Sequence, residues 1–445
     1  MPYDLRRTGR HLGRDRSGAE QARRRLRLLH LITQRRWVPV AGYVGYIALL
    51  TAGYYYNLTF VQLGLIDLGS NRLGMPAHSV SHVMAVLALV ALAAAIVAGV
   101  LMDRRGWSSD LRTKLRLLTV VIAVQLTLTT AAPLLATPAW FVAWVVVCAT
   151  AIGVGMPVTF SLMADLIPVR DRGFAAALPA GLAFFVASLY PQQWQVEQFS
   201  AVMATAMAPA VLVLAVLAFR PSRLVDQLAQ QDFGPGRFTV PPAPTATTPA
   251  FAVAVAAMFA AFFIDSLGFL RIIDTPAYIS TSWQSPDLGV RLFIAVTHVV
   301  GAAMAGVLYT TFHWRWLLVW VYGLFGFTHL LYTFHVSTAA DAVPPLVLPG
   351  MYVLAVAFYT TLNFALWPDL STRDTIGTRC AVGVGVAGWL ASFLSTSLAL
   401  ASGATGITLL THLRYVDALA LLLLTVVPVL FYADRVWTLA RQEPS

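Results

Sequence analysis

Charge is what this sequence has least of. Only 11% of its 445 residues are Asp, Glu, Lys or Arg, whereas 58% are hydrophobic and the mean hydropathy is +0.72. A chain so poor in charge cannot cover a water-facing surface, which excludes a soluble enzyme, a secreted disulfide scaffold or a disordered tail. Cysteine is scarce too: Cys148 and Cys380, both within or beside apolar segments, supply neither a disulfide framework nor a zinc site. His82, His298 and His329 stand alone on separate segments with no second ligand at helical spacing, so no metal and no cofactor is expected. The phosphate-cradling pattern G-x-x-x-x-G-K-[ST] is absent, which argues against an ATP-driven pump in this chain.

What the sequence has in abundance is long apolar runs. About 20 apolar residues cross a hydrocarbon core roughly 30 Å thick. Reading runs against charged or Pro/Gly-rich breaks gives twelve segments of that length: 38–63, 80–102, 115–136, 138–163, 173–194, 198–219, 251–273, 288–311, 314–335, 343–366, 378–402 and 407–433. Backbone polar groups in lipid must bond within their own segment, and runs this continuous are not the alternating strands of a barrel, so all twelve are read as α-helices.

The basic residues then decide orientation rather than a nucleic-acid partner. Of the 30 Lys and Arg residues, 26 fall in the N-terminal tail, the C-terminal tail or the loops after even-numbered segments. Positive side chains concentrate in short cytoplasmic loops, so both termini are expected in the cytoplasm of an inner or plasma membrane protein. Residues 1–36 form a basic tail without a signal-peptide apolar stretch. Ala22, Leu26, Leu29 and Ile32 recur at helical spacing within 21–36, which predicts a helix lying on anionic headgroups.

The longest polar gap, 220–250, holds Pro221, Pro235, Pro241, Pro242, Pro244 and Pro249 and separates six segments from six. The expected organisation is therefore a six-helix unit at 37–219, a linker at 220–250, a second unit at 251–435 and a short tail at 436–445. Landmarks recur between the halves: Asn57 with Asp265, Gly99-Val100-Leu101 with Gly306-Val307-Leu308, and Asp165-Leu166 with Asp369-Leu370, at offsets of 208, 207 and 204 residues. Three ordered pairs in near-constant register argue for a parallel duplication.

Two of these landmarks carry a resemblance. Gly99-Val100-Leu101-Met102-Asp103-Arg104-Arg105-Gly106 resembles the loop signature between the second and third helices of the major facilitator superfamily. Asp165, followed seven residues on by Arg172 and Gly173, is similar to that family's acidic end of the fourth helix and Arg-Gly start of the fifth. The resemblance implies an all-α integral membrane fold of twelve transmembrane helices in two pseudo-symmetric six-helix bundles. It also implies a secondary transporter that moves a small molecule by alternating access; the chain is read as a monomer, with membrane lipids at its basic tail and, through Asp265, protons as its other partners. The second half departs from the pattern, with Tyr309, Thr310 and Thr311 in place of the charged part and Ile376 seven residues after Asp369. Any charge relay is therefore expected to rest on the N-terminal half.

The residues themselves suggest what each group does. Gly99 lets two backbones approach, with Gly383, Gly385 and Gly388 as the expected partner surface. Asp103 is expected at the positive N-terminal end of the eleventh helix with Arg379 as its ion-pair partner, forming a latch made in one state only. Arg104, Arg105, Asp165, Arg172 and Asp369 complete that gating set. An ionised group within a spanning segment costs at least roughly 2.5 kcal/mol near the bilayer centre and so faces a cavity or a partner. Asp265, in Phe262-Phe263-Ile264-Asp265-Ser266, is on that ground the proton-coupling candidate. Arg271 is the candidate for an anionic group on the substrate, paired along its helix with Asp274, while Asp67 and Arg72 are expected at the outer interface. Asn57, Gln62, Gln125, Asn363 and Trp389 are candidates for the substrate path. A non-transporting receptor or scaffold and, less well supported, a membrane-embedded enzyme are the rival readings.

Overall fold

The computed structural model describes residues 32, 35–65, 67–189, 195–231, 244–273, 275–339 and 342–440. Twelve helices dominate: α1 Trp37–Tyr56, α2 Ala77–Arg104, α3 Leu111–Ala131, α4 Pro138–Leu166, α5 Arg172–Ser188, α6 Val196–Phe219, α7 Pro244–Ile273, α8 Leu288–Thr311, α9 Trp314–Ala339, α10 Val347–Asp369, α11 and α12 Leu409–Ala440. The eleventh, α11, runs from Ile376–Val382 through a π-helical stretch, Gly383–Leu390, into Ala391–Ala404; α1 likewise continues as a π-helix over Asn57–Gly64. Eleven of the twelve are long and apolar enough to cross a membrane. The exception, α5, has 17 residues and packs against α1, α8 and α10. No strand occurs among the described residues.

Local chemistry sets several of the boundaries. Asp110, Thr137 and Asp287 each accept from a backbone N–H in the first turn of α3, α4 and α8, and Pro138 opens α4, where no donor is needed. Gly106, at φ 70°, makes the left-handed turn that ends α2. The expected linker is not all loop: Ser222 caps a short helix, Arg223–Ala229, and α7 begins at Pro244. Its residues 232–243 lie outside the described residues, as do 190–194 of the expected fifth helix and nearly all of the basic tail, including the expected helix at 21–36.

Packing repeats between the halves. As α2 lies on α4, so α8 lies on α10; α3 packs on α4 and α6, and α9 on α10 and α12; α1 rests on α5, and α7 on α11. Across the seam α5 runs along α8 and α11 along α2, which are the same contact with the halves exchanged. The glycine landmarks explain both crossings. A β-carbon at Gly99 would stand 2.5 Å from the carbonyl oxygen of Gly377, and one at Gly173 would stand 2.6 Å from that of Gly306. Gly99 and Gly306 are repeat mates, and so are Gly173 and Gly377. The expected partner surface for Gly99 is thus corrected: Gly383 faces Trp367, Gly385 faces Leu92 and Gly388 faces Phe262.

Candidate functional site

The two halves enclose a cavity of about 1100 Å³ with a mostly apolar lining. Asn57 at the π-helical break of α1 and Asp265 on α7 both line it, so the repeat pair meets at one site. Asp265 is held by two tyrosines of α10: Tyr352 donates to Oδ1 at 2.6 Å and Tyr359 to Oδ2 at 2.5 Å. Tyr352 also reaches the backbone carbonyl of Asp265 at 2.8 Å, which fixes the carboxyl's direction. Tyr359 gives one full phenol bond and Tyr352 one shared with the backbone carbonyl, so each carboxylate oxygen has a donor in an apolar surround. The cluster continues into the N-terminal half, where Tyr54 of α1 packs edge-on against Phe364 of α10 with ring centres 5.1 Å apart.

Asn363 and Trp389 line the same cavity. Asn363 is buried and its amide oxygen accepts from Trp367 at 2.8 Å. Gln125 of α3, in the N-terminal half, lines the cavity too. The side chain of Gln62 and all of Asp274 lie outside the described residues. Arg271 does not line the cavity: it donates to the carbonyl of Ile407 at 3.0 Å and packs against Gly403, at the turn between α11 and α12. Asp67 and Arg72 form no tie between halves, because Arg72 pairs with Glu197 at 3.0 Å and Asp67 accepts from the N–H of Val196, both at the start of α6.

The gating residues converge at the basic end of the bundle. Asp103 accepts from the N–H of Gly377 at 2.9 Å and of Thr378 at 2.7 Å, so it caps α11 directly, and Ser108 holds the same carboxyl. Carboxylate at a helix N-terminus is favourable through both the free donors and the dipole. The expected ion pair with Arg379 is not formed; Arg379 donates to the carbonyl of Leu370 and lies 5.2 Å from the Phe251 ring. Arg172 pairs instead with Asp369 across the seam, and Tyr309 donates to the other oxygen of Asp369 at 2.6 Å. The polar contacts at this end therefore span both halves, and Tyr309 stands at one of the positions that lack the charged part of the pattern. Asp165 pairs with Lys114 at 2.6 Å, and both are almost completely buried. Arg104 and Arg105 are exposed at the end of α2.

Sequence reasoning missed Lys114, Tyr352 and Tyr359. Lys114 was counted as one more loop charge, although it is the single lysine of the chain, which was a usable signal. The tyrosines gave none, since aromatic residues are common throughout these helices. A second buried polar set lies behind Asp265: His412 bonds the carbonyl of Leu267 at 2.9 Å and Ser402 at 3.0 Å, and Asp417 accepts from Thr333 at 2.6 Å. Among the described residues no group of three His, Cys, Asp or Glu is placed to hold a metal.

No protein-family model matches the sequence, and no curated protein matches it as a relative. Solved structures do. The proton:xylose symporter XylE is 14% identical, with a TM-score of 0.59 over 87% of this chain and 94% of that one. A bacterial homologue of the iron transporter ferroportin, in an outward-facing state, is 12% identical, with a TM-score of 0.57 over 89% and 99%. The fold is that of the major facilitator superfamily. The human organic anion transporter TETRAN has it too, at 15% identity and a TM-score of 0.57 over 88% and 99%. These neighbours are transporters rather than enzymes, and identities this low establish the architecture of the facilitator fold alone.

Proposed function

We propose that this chain is a major facilitator transporter that carries a small organic solute by alternating access, coupled to protons through Asp265. The reading takes the basic end as cytoplasmic, with both termini there in an inner or plasma membrane, and takes 37–219 and 251–435 as the two moving units. One observation carries it: the rare intramembrane carboxyl opens on a cavity between pseudo-symmetric halves, clamped by Tyr352 and Tyr359. Its neighbour Phe262 packs on Tyr359 at 4.5 Å, and Tyr54 brings α1 against the same helix.

The chemistry follows from what a proton does to that clamp. Ionised, Asp265 accepts both phenol bonds. Protonated, it loses one acceptor site and gains a donor, so one tyrosine is released toward the cavity and its helix. Asn57 and Asn363 offer hydrogen bonds to a polar solute while the aromatic walls take its apolar faces. The contacts of Asp103 with α11 and of Arg172 and Tyr309 with Asp369 hold the cytoplasmic ends together in this state and must break for the cavity to open inward. An enzyme reading would need nucleophile, base or metal groups converging at one depth. A receptor or scaffold reading would predict binding without exchange.

The test uses the full chain in liposomes with a pH dye inside, challenged with a panel of labelled sugars and organic anions. The proposal expects solute exchange by the wild type and proton flux that accompanies net uptake. Asp265→Asn should keep exchange and lose accumulation driven by a pH gradient. Unchanged accumulation in that variant removes the proton role. Binding without exchange in the wild type favours the receptor.

A further inference from the structure

The N-terminal half is split where its mate is closed. α1 turns a stripe of small residues, Ala41, Gly45, Ala48 and Ala52, away from α4 and α5, and all four are exposed. Opposite them α6 presents Met207, Ala210, Leu214 and Leu217, and all eight residues line the cavity. The wedge between the two helices has Ile122 of α3 and Ile152 and Met156 of α4 as its floor. At the far end it is shut by aromatic packing, with Tyr56 and Phe60 of the first segment against Phe199 of α6 at 5.9 and 5.0 Å. At the basic end it is capped by Leu224 and Leu228 of the short helix Arg223–Ala229; a β-carbon at Gly42 would stand 3.0 Å from Leu228.

The remaining side opens laterally, flanked by Val44 and Val213, each 58% exposed. At 1.5 Å per residue, Ala41 to Ala52 lie about 6–22 Å along α1 from Trp37, which is hydrocarbon depth on the basic side. Water-borne solutes do not reach that opening; acyl chains do. Its apolar lining rejects water, and a void of that shape would forfeit contacts on every wall. The charge above the opening is complementary to one kind of lipid. Arg36 just before α1, Arg220 just after α6 and Arg223 are all exposed, and none has a side-chain partner among the described residues.

We infer that the wedge between α1 and α6 is a binding site for one acyl chain of an anionic phospholipid from the leaflet at the basic end, with its headgroup on Arg36, Arg220 and Arg223. The site stands whether or not the protein proves to be a carrier. Because the wedge is continuous with the central cavity, the bound chain lies against the path any solute takes.

The test reconstitutes the full chain with phosphatidylglycerol carrying a photoactivatable diazirine midway along one acyl chain, and maps the crosslinks by mass spectrometry. Labels should concentrate on α1 and α6 at wedge positions. Ala48→Trp or Ala210→Trp, which fill the wedge from opposite walls, should remove them, whereas Val97→Trp on the lipid-facing side of α2 should not. Arg220→Gln should lower labelling about fivefold, the effect of one basic side chain at an anionic surface. The same diazirine on phosphatidylcholine, compared in wild-type protein, should label less. Crosslinks spread evenly around the helices, or unchanged by both tryptophans, overturn the site; equal labelling by the two headgroups overturns the arginine assignment.

Discussion

α7 is embraced by α9, α11 and α12, whereas its repeat mate α1 rests on α4 and α5, stands off from α3 and meets α6 at its π-helical end. The buried polar groups differ in the same sense. The C-terminal half keeps Asp265, His329, His412 and Asp417 within its helices, bonded to phenols, hydroxyls and backbone carbonyls. The N-terminal half keeps its buried charges at the basic end, as the Lys114–Asp165 ion pair and the Tyr43–Asp171 hydrogen bond. Two halves with matching helix contacts thus differ in what they hold, a carboxyl clamped by tyrosines in the C-terminal half and an apolar wedge in the N-terminal half. Packing density follows the chemistry: a polar cluster needs every bond satisfied, while an apolar site needs only room.

The largest expected effect breaks the charge side of this contrast. Lys114→Ala removes the ion-pair partner of buried Asp165, and removing one partner of a buried pair costs about 3–5 kcal/mol. Thermal unfolding in detergent should show that loss, and Lys114→Met combined with Asp165→Leu should restore most of it. Asp265→Asn, by contrast, removes a buried charge and gives up only one of the two phenol bonds, so it should lower the unfolding temperature less than Lys114→Ala. Next comes the seam. Gly99→Leu places a side chain against Gly377 and Ala381, and overpacking of that kind costs about 2 kcal/mol, or roughly thirtyfold in the population of the state closed at the basic end. Cysteine accessibility at the basic end of α2 should rise accordingly. The smallest effects belong to exposed pairs: Arg72→Ala and Arg112→Ala, which lose Glu197 and Asp226, should each change stability by less than about 1 kcal/mol. A large effect at either would mean that the loops, not the core, separate the two halves.

Much of this was legible because lipid makes the rules strict. Helix number followed from apolar length, and the duplication from Gly99 and Gly306, whose spacing is preserved at both seam crossings. Asp265 announced itself as a lone carboxyl in an apolar run. What could not be read is whatever depends on how helices tilt and cross. Gly99 meets Gly377 rather than the three glycines further along α11 because crossing register is not a local property of either sequence. Asp103 looked like a partner for Arg379, yet two backbone N–H groups at the start of α11 satisfy it more directly. Arg271 was near enough to Asp265 in sequence to suggest the same site, but helix α7 carries it past the cavity to the turn after α11. The wedge is not legible in the sequence because small residues such as Ala41, Gly45, Ala48 and Ala52 serve close packing as readily as an opening, and only the placement of α1 relative to α6 decides which.

The central claim is that the two halves rock against each other, and spin-label distances test it most directly. Cys148 and Cys380 are buried, so labels can be placed at Arg105→Cys with Asp374→Cys across the basic end and at Asn71→Cys with Thr405→Cys across the far end, in lipid nanodiscs at acid and alkaline pH. The account predicts that one distance lengthens as the other shortens. Two distances that stay fixed, or that change together, would contradict it.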